Sequence, residues 1–390
     1  MIFNQFKDKQ LSLLGFGAMR LPTNPDGSID VAQTKEMVRY AIDNGVNYFD
    51  TAWPYHDGNS ERVMGDILSE YPRESYYLAT KYPGHQILSN GYNPAEIFEE
   101  QLKKCKVDYF DFYLLHNVYE RSIDTYLDPR WGILDYFKEQ KRLGRIKHLG
   151  FSTHAQTNAL GKILDLIGND MEFCQIQLNY LDWSLQDAKG KYELLTERNI
   201  PVWVMEPVRG GKLADLGHDK NSMLKELRPD ESIAAWGFRF LHQFDNIKMI
   251  LSGMSDNEQM RDNVKTFAEK TEMTNAENDL LFKIADGMKQ TVPCTGCRYC
   301  VEGCPMQLDI PMLLSTYNEV RFSPSVNSAM RVEFLPDEKK PTACIACGKC
   351  AKICPQNIDI PTELKNMVET LSKIPSWAQI CREREDAQKK

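Results

Sequence analysis

Eight of the eleven cysteines lie between Cys294 and Cys354, and they form one pattern used twice. Cys294, Cys297, Cys300 and Cys304 are followed by Pro305; Cys344, Cys347, Cys350 and Cys354 are followed by Pro355. Each run reads C-x2-C-x2-C-x3-C-P, the spacing that ligates a cubane 4Fe–4S cluster. Three thiolates from one short loop reach one cluster, and the proline turns the chain away behind the fourth. Zinc sites of four cysteines instead pair C-x2-C knuckles across a longer gap. A disulfide scaffold belongs to small exported domains, and Met1–Lys7 opens no export signal in this 390-residue chain. Two 4Fe–4S clusters are therefore expected.

The repeat extends past the ligands. Cys304-Pro305-Met306-Gln307-Leu308-Asp309-Ile310-Pro311 matches Cys354-Pro355-Gln356-Asn357-Ile358-Asp359-Ile360-Pro361. Asp309 and Asp359 suit a helix N-cap, and Pro311 and Pro361 suit a first turn, where a missing N–H costs nothing. With the long segment 305–343 between the runs, residues 291–360 resemble the alpha-helical ferredoxin family. In two-cluster ferredoxins the fourth cysteine of each run serves the other cluster. The resemblance thus implies one cluster on Cys294, Cys297, Cys300 and Cys354, and a second on Cys344, Cys347, Cys350 and Cys304.

Before that block, short apolar runs alternate with helix-period segments. Strands are expected at Leu11–Leu14, Tyr48–Ala52, Tyr76–Lys81, Tyr109–His116, Ile146–Phe151, Phe173–Leu178, Pro201–Met205 and Lys248–Leu251, with helices between them. Eight strand–helix units over about 270 residues have the rhythm of a (β/α)8 TIM barrel. The fold class expected is α/β: a TIM barrel with a C-terminal, mainly helical two-cluster ferredoxin domain. A doubly wound sheet would want G-x-G-x-x-G after its first strand, which Gly15-Phe16-Gly17-Ala18-Met19 lacks. In a barrel, chemistry sits at the C-terminal strand ends. Asp50, Tyr55, Lys81 and His116 stand there in order. A Tyr can donate a proton to a carbonyl oxygen, a nearby Lys ammonium would lower its pKa, Asp would hold the Lys, and His would orient the substrate.

These residues carry a second resemblance. Gly15-Phe16-Gly17-Ala18-Met19, Asn47–Tyr55, Gly58–Gly65, Ala79-Thr80-Lys81 and Tyr113–His116 resemble the aldo-keto reductase superfamily over residues 10–270. The resemblance implies that Asp50, Tyr55, Lys81 and His116 are a catalytic tetrad for hydride transfer from a nicotinamide, NADP or NAD. It implies that Ser152 and Gln175 hold the carboxamide, and that Glu206, Pro207 and Gly210 belong to a loop over the pyrophosphate. Ser252, Gly253, Met254, Gln259 and Asn263 match the last cofactor segment, where a helix N-terminus favours phosphate. Met205 stands where many members stack an aromatic ring, and Thr153 replaces a common Asn. Ser252 and Gln259 stand where many offer Lys and Arg to a 2′-phosphate. Arg209, Lys212 and Arg261 are substitutes for those cations or solvated surface. His56 and His85 are expected near the substrate mouth or in exposed loops, and Trp53, Trp131 and Trp183 in the wall of that mouth or in the core. Cys105 and Cys174 read as buried hydrophobes.

A net charge of −8 argues against nucleic acid or an anionic membrane as partner, and no apolar run is long enough for a membrane span. A cytoplasmic protein is expected. The organisation expected is a barrel over 1–272, a helical connector over 273–290, a dicluster domain over 291–364, and a helix and charged tail over 365–390. Carbonyl reduction by a nicotinamide moves two electrons as hydride, whereas clusters pass single electrons. The leading expectation is an oxidoreductase acting on a small carbonyl or alcohol, with clusters exchanging electrons with a protein partner. The sequence offers no clear flavin site, and a flavin supplied by the partner would bridge the two kinds of traffic. The alternatives are a carbonyl reductase with structural clusters, and a redox sensor or electron carrier with an inactive barrel site.

Overall fold

The computed structural model describes residues 1–87, 91–120, 122–288, 291–322, 326–376 and 379, so Cys381 and the charged tail lie outside it. It divides into two compact units, Met1–Ala285 and Asp286–Lys390.

The first unit opens with an antiparallel hairpin, β1 (Phe3–Phe6) and β2 (Lys9–Ser12). Eight parallel strands then close a barrel: β3 (Leu14–Gly17), β4 (Tyr48–Asp50), β5 (Tyr77–Tyr82), β6 (Phe110–Leu115), β7 (Ile146–Thr153), β8 (Cys174–Gln177), β9 (Val202–Met205) and β10 (Ile247–Ser252). Strand β10 returns to pair with β3. The register sets Gly17 beside Asp50, Asp50 beside Ala79, Lys81 beside Leu114, Ser152 beside Gln175, and Ser252 beside Phe16. The polar residues at the strand ends thus ring one mouth, the C-terminal face where barrels place their chemistry.

One strand differs from expectation. Leu11–Leu14 is not the first barrel strand; Leu11 belongs to the hairpin, and the barrel begins at Leu14. The hairpin buries Phe6 and Leu11 with Tyr48, Phe112, Phe173 and Trp203, closing the end opposite the mouth. Gly15 is then inside a strand because a Cβ there would come within 2.6 Å of Leu251 and 2.7 Å of Met249.

The helix Asn275–Met288 occupies most of the expected connector, and the division between units falls inside it. Leu281, Ile284 and Ala285 are buried, the Phe282 ring meets Phe240 at 5.8 Å, and Glu277 pairs with Arg228. These contacts make it an outer helix of the barrel unit.

In the second unit, helices Ile310–Phe322 and Ile360–Leu371 pack Leu313, Leu314, Leu364 and Met367 into one core with Leu308 and Ile358. Helix Ile360–Leu371 runs through residue 364, and Met367 keeps it in that core. Asp359 caps it by accepting from the Thr362 N–H, and Asp309 accepts from Met312 at the other helix. The duplication is visible in the backbone. Left-handed residues recur 50 positions apart: Gly296 and Ala346, Arg298 and Gly348, Gln307 and Asn357. Among the described residues no helix is long and apolar enough to cross a membrane.

Candidate functional site

At the barrel mouth everything turns on Lys81. Its side chain is fully buried, and an ammonium has three N–H donors and no acceptor. All three are aimed: at the Asp50 carboxylate, at the Thr51 carbonyl (2.8 Å) and at the Tyr55 hydroxyl (3.3 Å). Because Lys81 can only donate, the Tyr55 oxygen accepts from it and the phenol proton points elsewhere. The His116 ring stands edge-on to Tyr55 at 6.1 Å between centroids. Its Nδ1 has no hydrogen-bond partner among the described residues, and burial pushes its pKa well below the usual histidine value. His116 is thus a neutral imidazole at neutral pH. The His85 ring packs edge-on to His116 at 5.1 Å, with Nδ1 3.0 Å from the His116 carbonyl, and the Tyr126 hydroxyl donates to the same carbonyl.

Behind Lys81 lies a second buried network. Glu61, in the first turn of helix Ser60–Leu68, accepts from Thr80 (2.6 Å) and Gln101 (2.7 Å) and faces Lys104 at 3.4 Å. Gln101 also donates to the Lys81 carbonyl (3.1 Å) and accepts from Tyr113 (2.6 Å). Gln101 and Lys104 are three residues apart on helix Pro94–Cys105 and so share a face. Gly65 lets the two helices meet, since a Cβ there would fall 2.3 Å from the Lys104 carbonyl oxygen.

On the other side of the mouth, Ser152 accepts from the Asn117 N–H (2.9 Å). The Gln175 amide nitrogen is 3.5 Å from the Met205 sulfur, and its carbonyl oxygen has no partner among the described residues. That buried oxygen is an acceptor suited to a carboxamide N–H. The loop from Glu206 is held from below: Asn179 donates to the Glu206 carbonyl (3.0 Å) and to Asp182 (2.7 Å), and Asp182 pairs with Arg209 (3.0 Å). Pro207 is buried, and Glu206, Arg209 and Gly210 have positive φ. Across the mouth Asn263 donates to the Ser252 hydroxyl (2.9 Å), Gly253 lies against Arg20, and Met254 is buried. Gln259 is occupied by Asp256 (2.7 Å) and the Ser255 N–H (3.0 Å) at the start of helix Asn257–Thr266.

In the second unit the thiols sort into two cavities. Cys294, Cys297, Cys300 and Cys354 line one with Leu314 and Ile360; Cys344, Cys347, Cys350 and Cys304 line the other with Leu308 and Leu364. Among the described residues no His, Asp or Glu lines either, so the donor set there is sulfur alone, as iron–sulfur clusters take. All eight are free thiols, and no three His, Cys, Asp or Glu side chains among the described residues are set to hold a single metal ion.

The profile of the Aldo/keto reductase family matches residues 13–285. The chain belongs to that family. A 4Fe-4S dicluster domain profile matches residues 293–358, so this aldo/keto reductase carries an iron–sulfur module in the same chain. It is 25% identical to the uncharacterized oxidoreductase YqkF of Bacillus subtilis over 291 residues, 66% of this chain and 88% of that one. It is 23% identical to the NADH-specific methylglyoxal reductase of Escherichia coli, over 73% of this chain and 97% of that one. Among solved structures, the holo form of an aldo-keto reductase from Bacillus halodurans shares the fold with a TM-score of 0.59 and 24% identity, covering 73% of this chain and 96% of that one. The reductase is an NAD(P)H-dependent oxidoreductase by family.

Two expectations for this reductase need correction. Tyr55 does not end with a lowered pKa despite the Lys81 contact: burial raises it well above the ordinary phenol, and the Asp50 and Glu206 charges push the same way. Burial also pulls the Lys81 pKa down against the opposing pull of Asp50. Arg209 is not solvated surface, because it is buried against Asp182. Glu61, Gln101 and Lys104 escaped the sequence reading, although Glu61 stands inside the Gly58–Gly65 motif. His56 accepts from the Leu21 N–H (3.1 Å), and Trp183 packs on Phe240 and Phe244 in the core. The Trp53 ring lies 3.6 Å from the Lys104 ammonium.

Proposed function

We propose that the protein interconverts a small carbonyl compound and its alcohol using a nicotinamide at the barrel mouth, and that its two clusters carry electrons to or from a protein partner. The observation that supports the first half most directly is the three-way commitment of Lys81, which leaves the Tyr55 proton directed away from the ammonium. A reduced nicotinamide, when bound, supplies hydride to a carbonyl carbon. Tyr55 then holds the proton that the carbonyl oxygen takes up. Its raised pKa keeps it a neutral phenol at working pH, and the Lys81 N–H stabilises the phenolate left behind. His116, neutral and beside Tyr55, orients the carbonyl oxygen. Gln175 and Ser152 would offer polar groups to the carboxamide, and the Glu206–Gly210 loop would lie by the pyrophosphate.

For the second half, eight thiols line two cavities of one donor type, the set that a pair of one-electron centres requires. Cys294, Cys297, Cys300 and Cys354 would hold one cluster, and Cys344, Cys347, Cys350 and Cys304 the other. No finding supports a flavin in this chain, and the exchange between one- and two-electron carriers is assigned to the partner.

The test is an anaerobic titration of the iron-loaded protein with NADPH and then NADH, following cluster absorbance and EPR, with and without a flavoprotein as candidate partner. Cluster reduction that requires the flavoprotein supports the reading. Clusters reducible only by a stronger reductant, with carbonyl turnover untouched by cysteine substitution, would make them structural. Tyr55→Phe should lower carbonyl turnover by about 10²–10⁴-fold; unchanged turnover would remove Tyr55 from the chemistry.

A further inference from the structure

The two cluster loops share a backbone 50 residues apart, yet their second cysteines meet solvent differently. Thr295 is buried and Gly296 and Cys297 are half-buried, whereas the matching Ile345, Ala346 and Cys347 are all exposed. Exposure rises from 2% at Thr295 to 61% at Ile345. The other thiols of the second cavity do not share this: Cys350 is buried, and Cys344 and Cys304 are half-buried. In the first cavity Cys294, Cys297, Cys300 and Cys354 are all buried or half-buried. One thiol of the eight, Cys347, therefore stands in water.

A neighbouring position accounts for part of the difference. After Cys297 comes Arg298, which lines the first cavity and is held by Asp309 at 3.2 Å. After Cys347 comes Gly348, where a Cβ would meet nothing within 4 Å. Both residues are left-handed, with φ of 67° and 72°, so this loop accepts a side chain at that place. The second cavity has the same four-sulfur lining as the first, with one corner left uncovered.

Protein around a metal site controls what reaches it from solvent. We infer that the Cys347 corner of the second cavity is a labile iron site, emptied by dioxygen and refilled by ferrous iron. Dioxygen takes one electron from a four-iron core of charge 2+ and becomes superoxide. The iron at that corner leaves as Fe2+, breaking its bonds to the Cys347 Sγ and to the core sulfides. A three-iron core of charge 1+ stays on Cys344, Cys350 and Cys304, and the freed Cys347 thiolate takes a proton from water. Fe2+ and one electron from a reductant reverse the step. The inference goes beyond the electron-carrying reading, since it needs the cavities to hold clusters and not that the clusters conduct.

The test uses the full chain, loaded anaerobically to about eight irons, the content of two cubane clusters. N-ethylmaleimide first blocks every thiol that holds no iron, and a measured pulse of air-saturated buffer follows. A ferrous chelator and EPR read the products, and iodoacetamide with peptide mass spectrometry then finds the newly freed thiol. About one ferrous iron per chain should be released, with a three-iron EPR signal of about one spin per chain. The new label should fall on Cys347 and spare Cys297. Ferrous iron with dithionite, added before the iodoacetamide, should remove the signal and protect Cys347 again. Gly348→Arg, which places a guanidinium where Asp359 can hold it as Asp309 holds Arg298, should slow the release by about threefold or more. That variant is accepted only with wild-type iron content, and the wild-type label decides alone if it does not load. Label on Cys297 as often as on Cys347 would overturn the proposal. So would iron lost from both runs together, no release at all, or a release that a loaded Gly348→Arg protein does not slow. A chain that binds no iron at these thiols would overturn the cluster reading itself, whereas full loading followed by the wrong label overturns the proposal alone.

Discussion

Replacing Glu61 by Gln should damage the barrel more than an isosteric change normally does. The Glu61 carboxylate is fully buried and serves three donors: Thr80 at 2.6 Å, Gln101 at 2.7 Å and Lys104 at 3.4 Å. A glutamine there keeps one carbonyl oxygen for Thr80 and Gln101 but turns an NH2 toward the Lys104 ammonium. A buried cation then faces two donor hydrogens with no counter-charge. Breaking one side of a buried pair costs about 3–5 kcal/mol. The low end applies here, because the Lys104 side chain keeps 6% exposure and retains the Trp53 ring at 3.6 Å. The expected loss is about 3 kcal/mol, read by urea unfolding at pH 7 through tryptophan fluorescence, which is dominated by Trp53, Trp131, Trp183, Trp203 and Trp236 in the barrel unit. Adding Lys104→Met should restore most of it, since a buried pair replaced by apolar groups is often neutral. A Glu61→Gln loss below about 0.5 kcal/mol, or a double variant that simply sums the two singles, would refute the account of this network.

Stability should also fall on the acid side. Burial holds His85 at about 4 and His154 and His242 at about 3, whereas the unfolded chain titrates histidine near 6.5. Between those values the unfolded state binds the extra protons, so stability declines as pH drops below about 6.5, with a slope approaching roughly 4 kcal/mol per pH unit when all three contribute. Denaturant melts at pH 7, 6 and 5 check this, and a flat profile refutes it. Cys354→Ser should disturb the cluster of the 294–300 loop, because Cys354 shares that cavity; EPR that changes only in the 344–350 cluster would contradict the shared lining. NADH should be used at least as well as NADPH. Asp256 caps helix Asn257–Thr266, where a 2′-phosphate would be expected, Gln259 is spent on it, and the Arg261 guanidinium faces Glu36 at 3.8 Å. A tenfold kcat/KM preference for NADPH would refute that.

What the sequence displayed was what is local or strictly periodic. The cysteine runs are legible because ligand spacing lies within eleven residues, and seven of the barrel strands because their apolar runs end at the polar residues of the mouth. The hairpin escaped because its turn, Lys7-Asp8, carries no glycine although Lys7 has a φ of 52°, and because Leu11–Leu14 reads as one strand while it spans two. Glu61 with Lys104, and Arg209 with Asp182, join residues 43 and 27 positions apart, and nothing in either neighbourhood announces the other. Tyr55 was misjudged for the same reason: a chain shows its charged neighbours and hides its burial.

The hairpin that seals the barrel also sets an order of events during synthesis. The Ile2 N–H bonds to the Phe267 carbonyl, the Asn4 amide to the Ile247 carbonyl, and the Phe6 ring meets Trp203 at 5.0 Å. These partners emerge from the ribosome some two hundred and more residues later, about 10–50 s at usual elongation rates. Tyr48 and Phe112 are made sooner, but until Trp203 and the last strand follow, β1 and β2 have only part of the apolar surface they finally cover. The closing contacts of the barrel therefore join its oldest segment to its newest, and residues 3–12 are the segment that waits longest for its full set of partners.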